Sequence, residues 1–442
     1  MQAADIHHLE FVLLFVMTLV VALAVLARRI QIPYPIMLVV GGLAVSLLPN
    51  VPRVELNPDI VFLVLLPPLL SAAAFHMSWP NFRENLFKIS MMAFGLVGFT
   101  VAAVAYLTSR FLPGIDHRIG FVLGALVAST DAIAASAIAK RMHLLQGIAD
   151  LLEGESLLND AASLVALEFS IGMLVSNSVP TVTEGTLRLL YLSGGGILLG
   201  LLAGWLIRWC QMRLTDAPSE ITLTLLAPYV AYIAAESVHS SGVLATVVCG
   251  LYLGARQSES LSARARIESV AIWNTLDFIL NGIVFTLIGL QLPKVLEAIR
   301  GVRFVELFFD AAFLIALLVA LRLTWVFAES WIEFGVHLLF KRPASRPRSN
   351  ENFFIGWTGM RGVITLAAAM ALPEYVDSGA PFPQRDILIF LTFSVILVTL
   401  VAQGLSLPWI IRNLGLVAPP RPETQASVRP LRGAVVPVSK VI

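Results

Sequence analysis

The chain has 442 residues, 57% hydrophobic and only 13% charged, with a net charge of +1. A soluble domain carries about 25% charged residues, so this composition and a mean hydropathy of +0.83 exclude a soluble protein and point to a polytopic membrane protein. The charge balance offers no basic domain for nucleic acid, and Cys210 and Cys249 both lie in apolar runs that imply no disulfide framework.

The N-terminal MQAADIHHLE has no Lys or Arg before the first apolar run. A cleaved signal would show a basic start, so residues 11–27 are read as a retained helix. A bilayer-spanning helix needs about 20 apolar residues. On that scale the sequence predicts an all-α fold of about 13 transmembrane helices: 11–27, 33–49, 59–76, 88–111, 119–139, 151–176, 187–209, 221–237, 241–254, 268–291, 304–335, 353–373 and 386–411. The eighth and ninth are short and nearly continuous, and they are the weakest part of the count.

These spans make a membrane transport domain over residues 1–413. Residues 414–442 are rich in Pro and Arg, lack apolar periodicity and read as a short disordered cytoplasmic tail. The loop Lys341–Asn352 is polar, holds two prolines and reads as cytoplasmic and mobile. With the N-terminus outside, twenty of the thirty Lys and Arg fall on inside segments and eight on outside ones. Positive charge accumulates on the cytoplasmic side, which predicts N-out, C-in topology in the plasma membrane.

Two spans are interrupted by polar residues or glycines. The fifth carries Ser129-Thr130-Asp131, and the twelfth carries Gly356-Trp357-Thr358-Gly359-Met360-Arg361-Gly362. Paired broken helices in two halves point to a transporter built from inverted repeats with a midplane site.

The sixth span holds the densest polar cluster, LLEGESLLNDAASLVALEF from Leu151 to Phe169. Ionisable groups inside a bilayer cost about 2.5–3.5 kcal/mol each on insertion scales and mark function by default. Ser156 and Asp160 are four residues apart and share one helical face; Glu155 and Asn159 share the next. Hard cations take oxygen ligands. Asp160, Asp131, Asn159, Ser156 and Thr130 therefore form a candidate cage for a monovalent cation, with Asp160 and Asp131 as its charged ligands. Asp160 can also carry a proton, and competition between proton and cation for one site is enough to enforce exchange.

The remaining intramembrane charges read as structural. Arg322 and Arg361 each need a partner, and Glu155 suits one of them; Arg322 is preferred because Arg361 sits among glycines where free carbonyls can satisfy it. Asp277, in WNTLDFILNG, reads as a scaffold hydrogen bond. Glu153 suits the cytoplasmic mouth. Glu168 suits a path lining, an ion pair or a helix end. His76, His143 and His239 lie near span ends and read as interfacial. No GxxxxGK[ST] sequence is present, so ATP is not the expected driver, and no cofactor is implied.

At these residues the chain resembles monovalent cation:proton antiporter family 1, which contains bacterial sodium/proton antiporters and animal sodium/hydrogen exchangers. The matching pieces are LLPPLLSAAAFHMSW (65–79), ALVASTDAIAASAIAKRM (125–142), LEGESLLNDAASLV (152–165), GLYLGARQS (250–258), WNTLDFILNGIVFTLIGLQL (273–292) and GWTGMRGVITLAAAMALP (356–373). The resemblance implies a thirteen-helix fold with a core moving against a dimer-forming scaffold. It matches Asn159 and Asp160 to the family's Asn-Asp pair and Asp160 to its ion-and-proton carboxylate. Thr130 and Asp131 match the crossing residues of the broken helix, Ser156 a ligand serine, and Glu155 a glutamate bridged to an arginine. Asn before Asp resembles the electroneutral branch. One departure stands out: many relatives carry an acid just after the Pro-Pro of the third span, whereas Pro67-Pro68-Leu69-Leu70-Ser71-Ala72-Ala73 has none. The Ser71 hydroxyl is a candidate substitute.

The expected function is electroneutral Na⁺ (or Li⁺) for H⁺ antiport by an elevator-type homodimer in a lipid bilayer, and not enzymatic catalysis. The alternatives are a K⁺/H⁺ antiporter of the same fold, a cation channel and a non-transporting scaffold.

Overall fold

The computed structural model describes residues 3–49, 58–112, 114–142, 144–175, 182–339 and 346–417. Arg53, His143, the start of the 341–352 loop and the tail beyond Val417 lie outside the described residues. Within them the chain is helical throughout, with isolated β-bridges and no strand.

The helices follow the apolar runs. They are α1 (Ala3–Ile30), α2 (Tyr34–Ser46), α3 (Pro58–His76), α4 (Leu86–Phe111), the broken pair α5 (His117–Ala128) and α6 (Ile133–Met142), and α7 (Gln146–Val175). Then come α8 (Val182–Gln211), α9 (Ala217–Glu236), α10 (Gly242–Ala255), α11 (Ala263–Leu290), α12 (Phe304–Leu339), the second broken pair α13 (Ser349–Trp357) and α14 (Val363–Met370), and α15 (Arg385–Asn413). Among the described residues nine are long and apolar enough to cross a membrane, with Tyr34–Ser46 and Gly242–Ala255 as shorter apolar helices. The eighth and ninth predicted spans are two separate helices. A turn at 237–241 parts them, and the Ser241 hydroxyl caps α10 by accepting from the Leu244 amide at 3.2 Å. Leu414–Val417 does not dangle: Leu416 is buried, its carbonyl accepts from the Leu145 amide at 3.3 Å, and Val417 bridges to Leu144.

Helix contacts fall into two sets. In one, α4 packs on α5, α5 on α7, and α12 on α13, α15 and α4, while α14 packs on α15. In the other, α1 and α2 pack on α11, and α10 on α3, α8 and α9. Contacts between the sets are sparser and run along one seam, where α7 meets α3 and α10, α6 meets α2, and α14 meets α11. We call the first set the core body and the second the scaffold. At one end of the seam the Arg141 guanidinium of α6 donates to the carbonyl of Gln31, just past α1, at 2.5 Å.

Candidate functional site

Both helix breaks lie in the core body, and they cross. Residues 129–132 separate α5 from α6 and residues 358–362 separate α13 from α14. The Asp131 amide donates to the Met360 carbonyl at 2.7 Å, tying one break to the other. A helix carries partial positive charge at its N-terminus and negative charge at its C-terminus, so four half-helix ends bring four partial charges to this point.

Two side chains answer them. Asp131 Oδ1 accepts from the Ile133 amide at 2.7 Å, at the N-terminus of α6. The Arg361 guanidinium donates to the Val127 carbonyl at 3.0 Å, at the C-terminus of α5, and to the Gly359 carbonyl beyond α13. The Arg361 amide donates to the Thr399 hydroxyl at 3.2 Å, which a π-helical stretch of α15, Thr399–Gln403, presents to the break. Gly362, at the start of α14, touches Asp131 so closely that a Cβ there would overlap the carboxylate.

α7 runs beside this crossing. The Ser129 hydroxyl donates to Asp160 Oδ1, and the Ser156 hydroxyl accepts from the Ala132 amide at 3.2 Å. Asn159 Nδ2 donates to the Thr130 hydroxyl at 2.6 Å, and that hydroxyl donates onward to Glu155 Oε1 at 3.3 Å. Glu155 takes the Arg322 guanidinium in a two-pronged pair, 2.5 Å to Oε1 and 2.9 Å to Oε2, both side chains fully buried. Arg322 also donates from Nε to the Ile355 carbonyl at 3.2 Å. A buried charge survives only when paired and hydrogen-bonded, and here both conditions hold.

A cavity of about 400 Å³ enters the seam between core and scaffold. Asp160, Asp131, Ser156, Ser129 and Glu153 line its core wall. Tyr34, Ala72, Ala73, His76, Asn274, Asp277 and Asn281 line its scaffold wall. Its core wall carries two carboxylates, of which Asp160 is the more buried, together with hydroxyl oxygens.

The structure thus brings Asp160, Asp131 and Ser156 to one cavity and leaves two members of the expected cage, Thr130 and Asn159, off its lining. Their side chains bond each other, and Thr130, from the first break, reaches Glu155 of the Glu155–Arg322 pair. Glu155 pairs with Arg322, the arginine preferred from the sequence, and Arg361 is taken up by carbonyls at the two breaks. Glu168 pairs with Arg188 at 2.9 Å on an exposed surface, away from the cavity. The Ser71 hydroxyl faces Gly250 of α10 and is not a cavity ligand, so Ala72 and Ala73 leave that wall without an acid. Ser129, Tyr34, Asn274 and Asn281 were missed as cavity residues. For Ser129 the signal was its place directly before Thr130-Asp131; the other three carry no charge.

The family model for the transmembrane part of sodium/hydrogen exchangers matches residues 15–413. The chain belongs to the sodium/hydrogen exchanger family. A sodium/hydrogen exchanger of Mycobacterium tuberculosis, itself uncharacterized, is 34% identical over 417 residues, covering 91% of this chain and 75% of that one. A sodium, potassium, lithium and rubidium/H⁺ antiporter of Bacillus pumilus is 33% identical over 85% of this chain, which spans 57% of that protein's length. The structure of a sodium proton antiporter from Methanocaldococcus jannaschii matches with a TM-score of 0.71 at 18% identity, covering 94% of this chain and 99% of that one, a likeness of fold. The family places the protein among multi-pass membrane transporters.

Proposed function

We propose that the protein exchanges Na⁺ or Li⁺ for H⁺ across the plasma membrane, one for one, with Asp160 alternating between a protonated and a cation-bound form. The observation that carries this reading is the cavity lined by the buried Asp160, beside the crossing of two broken helices. A membrane carboxylate reached by water can exchange a proton for a cation, and one site that cannot hold both couples their movements. The division into core and scaffold supports an elevator-type cycle, in which the core carries Asp160 from one face to the other. The excess of basic residues at one set of helix ends supports N-out, C-in orientation, and the exposed apolar faces suit lipid and a second copy. Asp160, Asp131 and Ser156 are the cation ligands in this reading; Thr130, Asn159, Glu155 and Arg322 hold α7 in register behind them, and Arg361 secures the crossing.

K⁺/H⁺ exchange is the second reading. It is favoured by the missing acid on the α3 wall, where Ala72 and Ala73 replace a charged ligand, and by the relative named for potassium and rubidium as well as sodium. Weaker ligation demands less selective dehydration and so admits a larger ion.

The test is cation-induced pH change in proteoliposomes, run separately with Na⁺, Li⁺ and K⁺, for the natural protein and Asp160→Asn. The substitution keeps the side chain's shape and removes both its charge and its proton. Exchange is expected to vanish while the protein still inserts and elutes as a single species. Robust exchange by Asp160→Asn would overturn the assignment.

A further inference from the structure

Two polar ladders line the same cavity. On α7 they are Glu153, Ser156 and Asp160; on α11 they are Asn274, Asp277 and Asn281. Both sets have the spacing i, i+3, i+7, which keeps side chains on one helical face. Exposure falls along both: Asn274 is exposed, Asp277 half-buried and Asn281 buried, while Glu153 and Ser156 are half-buried and Asp160 buried. The α7 ladder belongs to the core and the α11 ladder to the scaffold.

The α11 ladder has chemistry of its own. Asn281 Nδ2 donates to Asp277 Oδ1 at 2.8 Å, fixing the amide with its nitrogen on the carboxylate. The amide oxygen, Asn281 Oδ1, is thereby left with no hydrogen-bond partner among the described residues, although Asn281 lines the cavity and is only 1% exposed. A buried carbonyl oxygen without a donor is costly, and the groups that satisfy an oxygen lone pair are a hydrogen-bond donor or a cation. Beside it stands a carboxylate. A carboxylate and an amide oxygen are ligands of the kind hard cations take.

We propose that Asp277 and Asn281 form a second cation subsite, on the scaffold wall, that holds a partly hydrated monovalent cation in front of Asp160. This rests on the cation-exchange reading above. Asp277 gathers cations from the open face, and Asn281 replaces part of their water; Asp160 then takes the ion when it releases its proton. Because the subsite stays with the scaffold, it serves Asp160 only while the cavity is open on this side. The cation's KM on that face depends on Asp277, and the KM on the opposite face does not.

The experiment compares natural protein, Asp277→Asn, Asp277→Glu and Asn274→Asp in membrane vesicles of both orientations, with Na⁺ or Li⁺ as the probe. Clefts lined by one sign of charge raise local counter-ion concentration and on-rates by about 10–10³-fold. Asp277→Asn is expected to raise KM about tenfold on the face where His76 and Glu153 open, with KM on the other face within about twofold. Asp277→Glu is expected to restore most of the affinity. Asn274→Asp adds a carboxylate at an exposed position nearer the mouth and is expected to lower KM on the same face. It decides alone if Asp277→Asn fails to insert. A KM that stays put in both Asp277→Asn and Asn274→Asp, or that moves equally on both faces, overturns the subsite. If the natural protein exchanges no cation at all, the exchange reading itself falls and takes the subsite with it.

Discussion

Glu155 and Arg322 sit on α7 and α12 and satisfy one another almost completely, with the Ile355 carbonyl and the Thr130 hydroxyl filling remaining positions. Removing one partner of such a buried pair leaves an uncompensated charge and costs about 3–5 kcal/mol. Glu155→Ala and Arg322→Leu are each expected to lower the melting temperature in detergent clearly. The double variant Glu155→Leu/Arg322→Leu should recover part of the loss, since it leaves no orphan charge. A melting curve unmoved by Glu155→Ala would show that the pair contributes little. The same network holds Asn159, next to Asp160, off the cavity lining: its amide nitrogen is committed to the Thr130 hydroxyl.

At the scale of elements, the two broken helices act as one unit. Asp131 and Arg361 each place a full charge against partial charges of the opposite sign at half-helix ends. Gly362 lets α14 approach α6 closely enough for this. Its backbone angles are open to other residues, so the requirement is space and not conformation. Gly362→Ala would drive a methyl group into Asp131, and overpacking of that kind costs about 1–3 kcal/mol. We expect exchange to fall at least about tenfold, since about 1.4 kcal/mol of misplacement already corresponds to that factor. Gly98→Ala is the control: a Cβ at Gly98 meets nothing within 4 Å among the described residues, and its exchange should match the natural protein. Equal rates in both variants would mean that the close approach at the crossing does not matter for transport.

For the whole molecule, the division into core and scaffold places Asp160 on one body and Asp277 on the other, with the cavity between. One-for-one exchange follows if Asp160 alone changes its occupant while Asp131 remains the fixed cap of α6. The moving body then carries the same net charge in both directions. A second carrier would add one charge per cycle, worth about 2.3 kcal/mol per 100 mV of membrane potential. In proteoliposomes with matched cation and pH gradients, an imposed potassium-diffusion potential should leave the exchange rate unchanged, once K⁺ is shown not to be a substrate. A rate that scales with the potential would make Asp131 a second carrier.

Much of this was legible in the sequence, for a definite reason. In a bilayer every backbone group must be satisfied within its own segment, so apolar runs report helices directly: the predicted runs and both breaks fall on helices, of which nine among the described residues are long and apolar enough to cross a membrane. Intramembrane charge is expensive, so Asp160, Asp131, Glu155, Arg322, Arg361 and Asp277 stood out before any fold was known. What the sequence could not decide is direction across helices. Four residues of spacing show that Ser156 and Asp160 share a face, but not which neighbour that face meets. Only the packed structure shows that Thr130 and Asn159 stay off the cavity lining, and that an uncharged residue, Asn281, shares the cavity with Asp160. Those outcomes depend on contacts between helices distant in the chain, and side-chain periodicity within one helix carries no information about them.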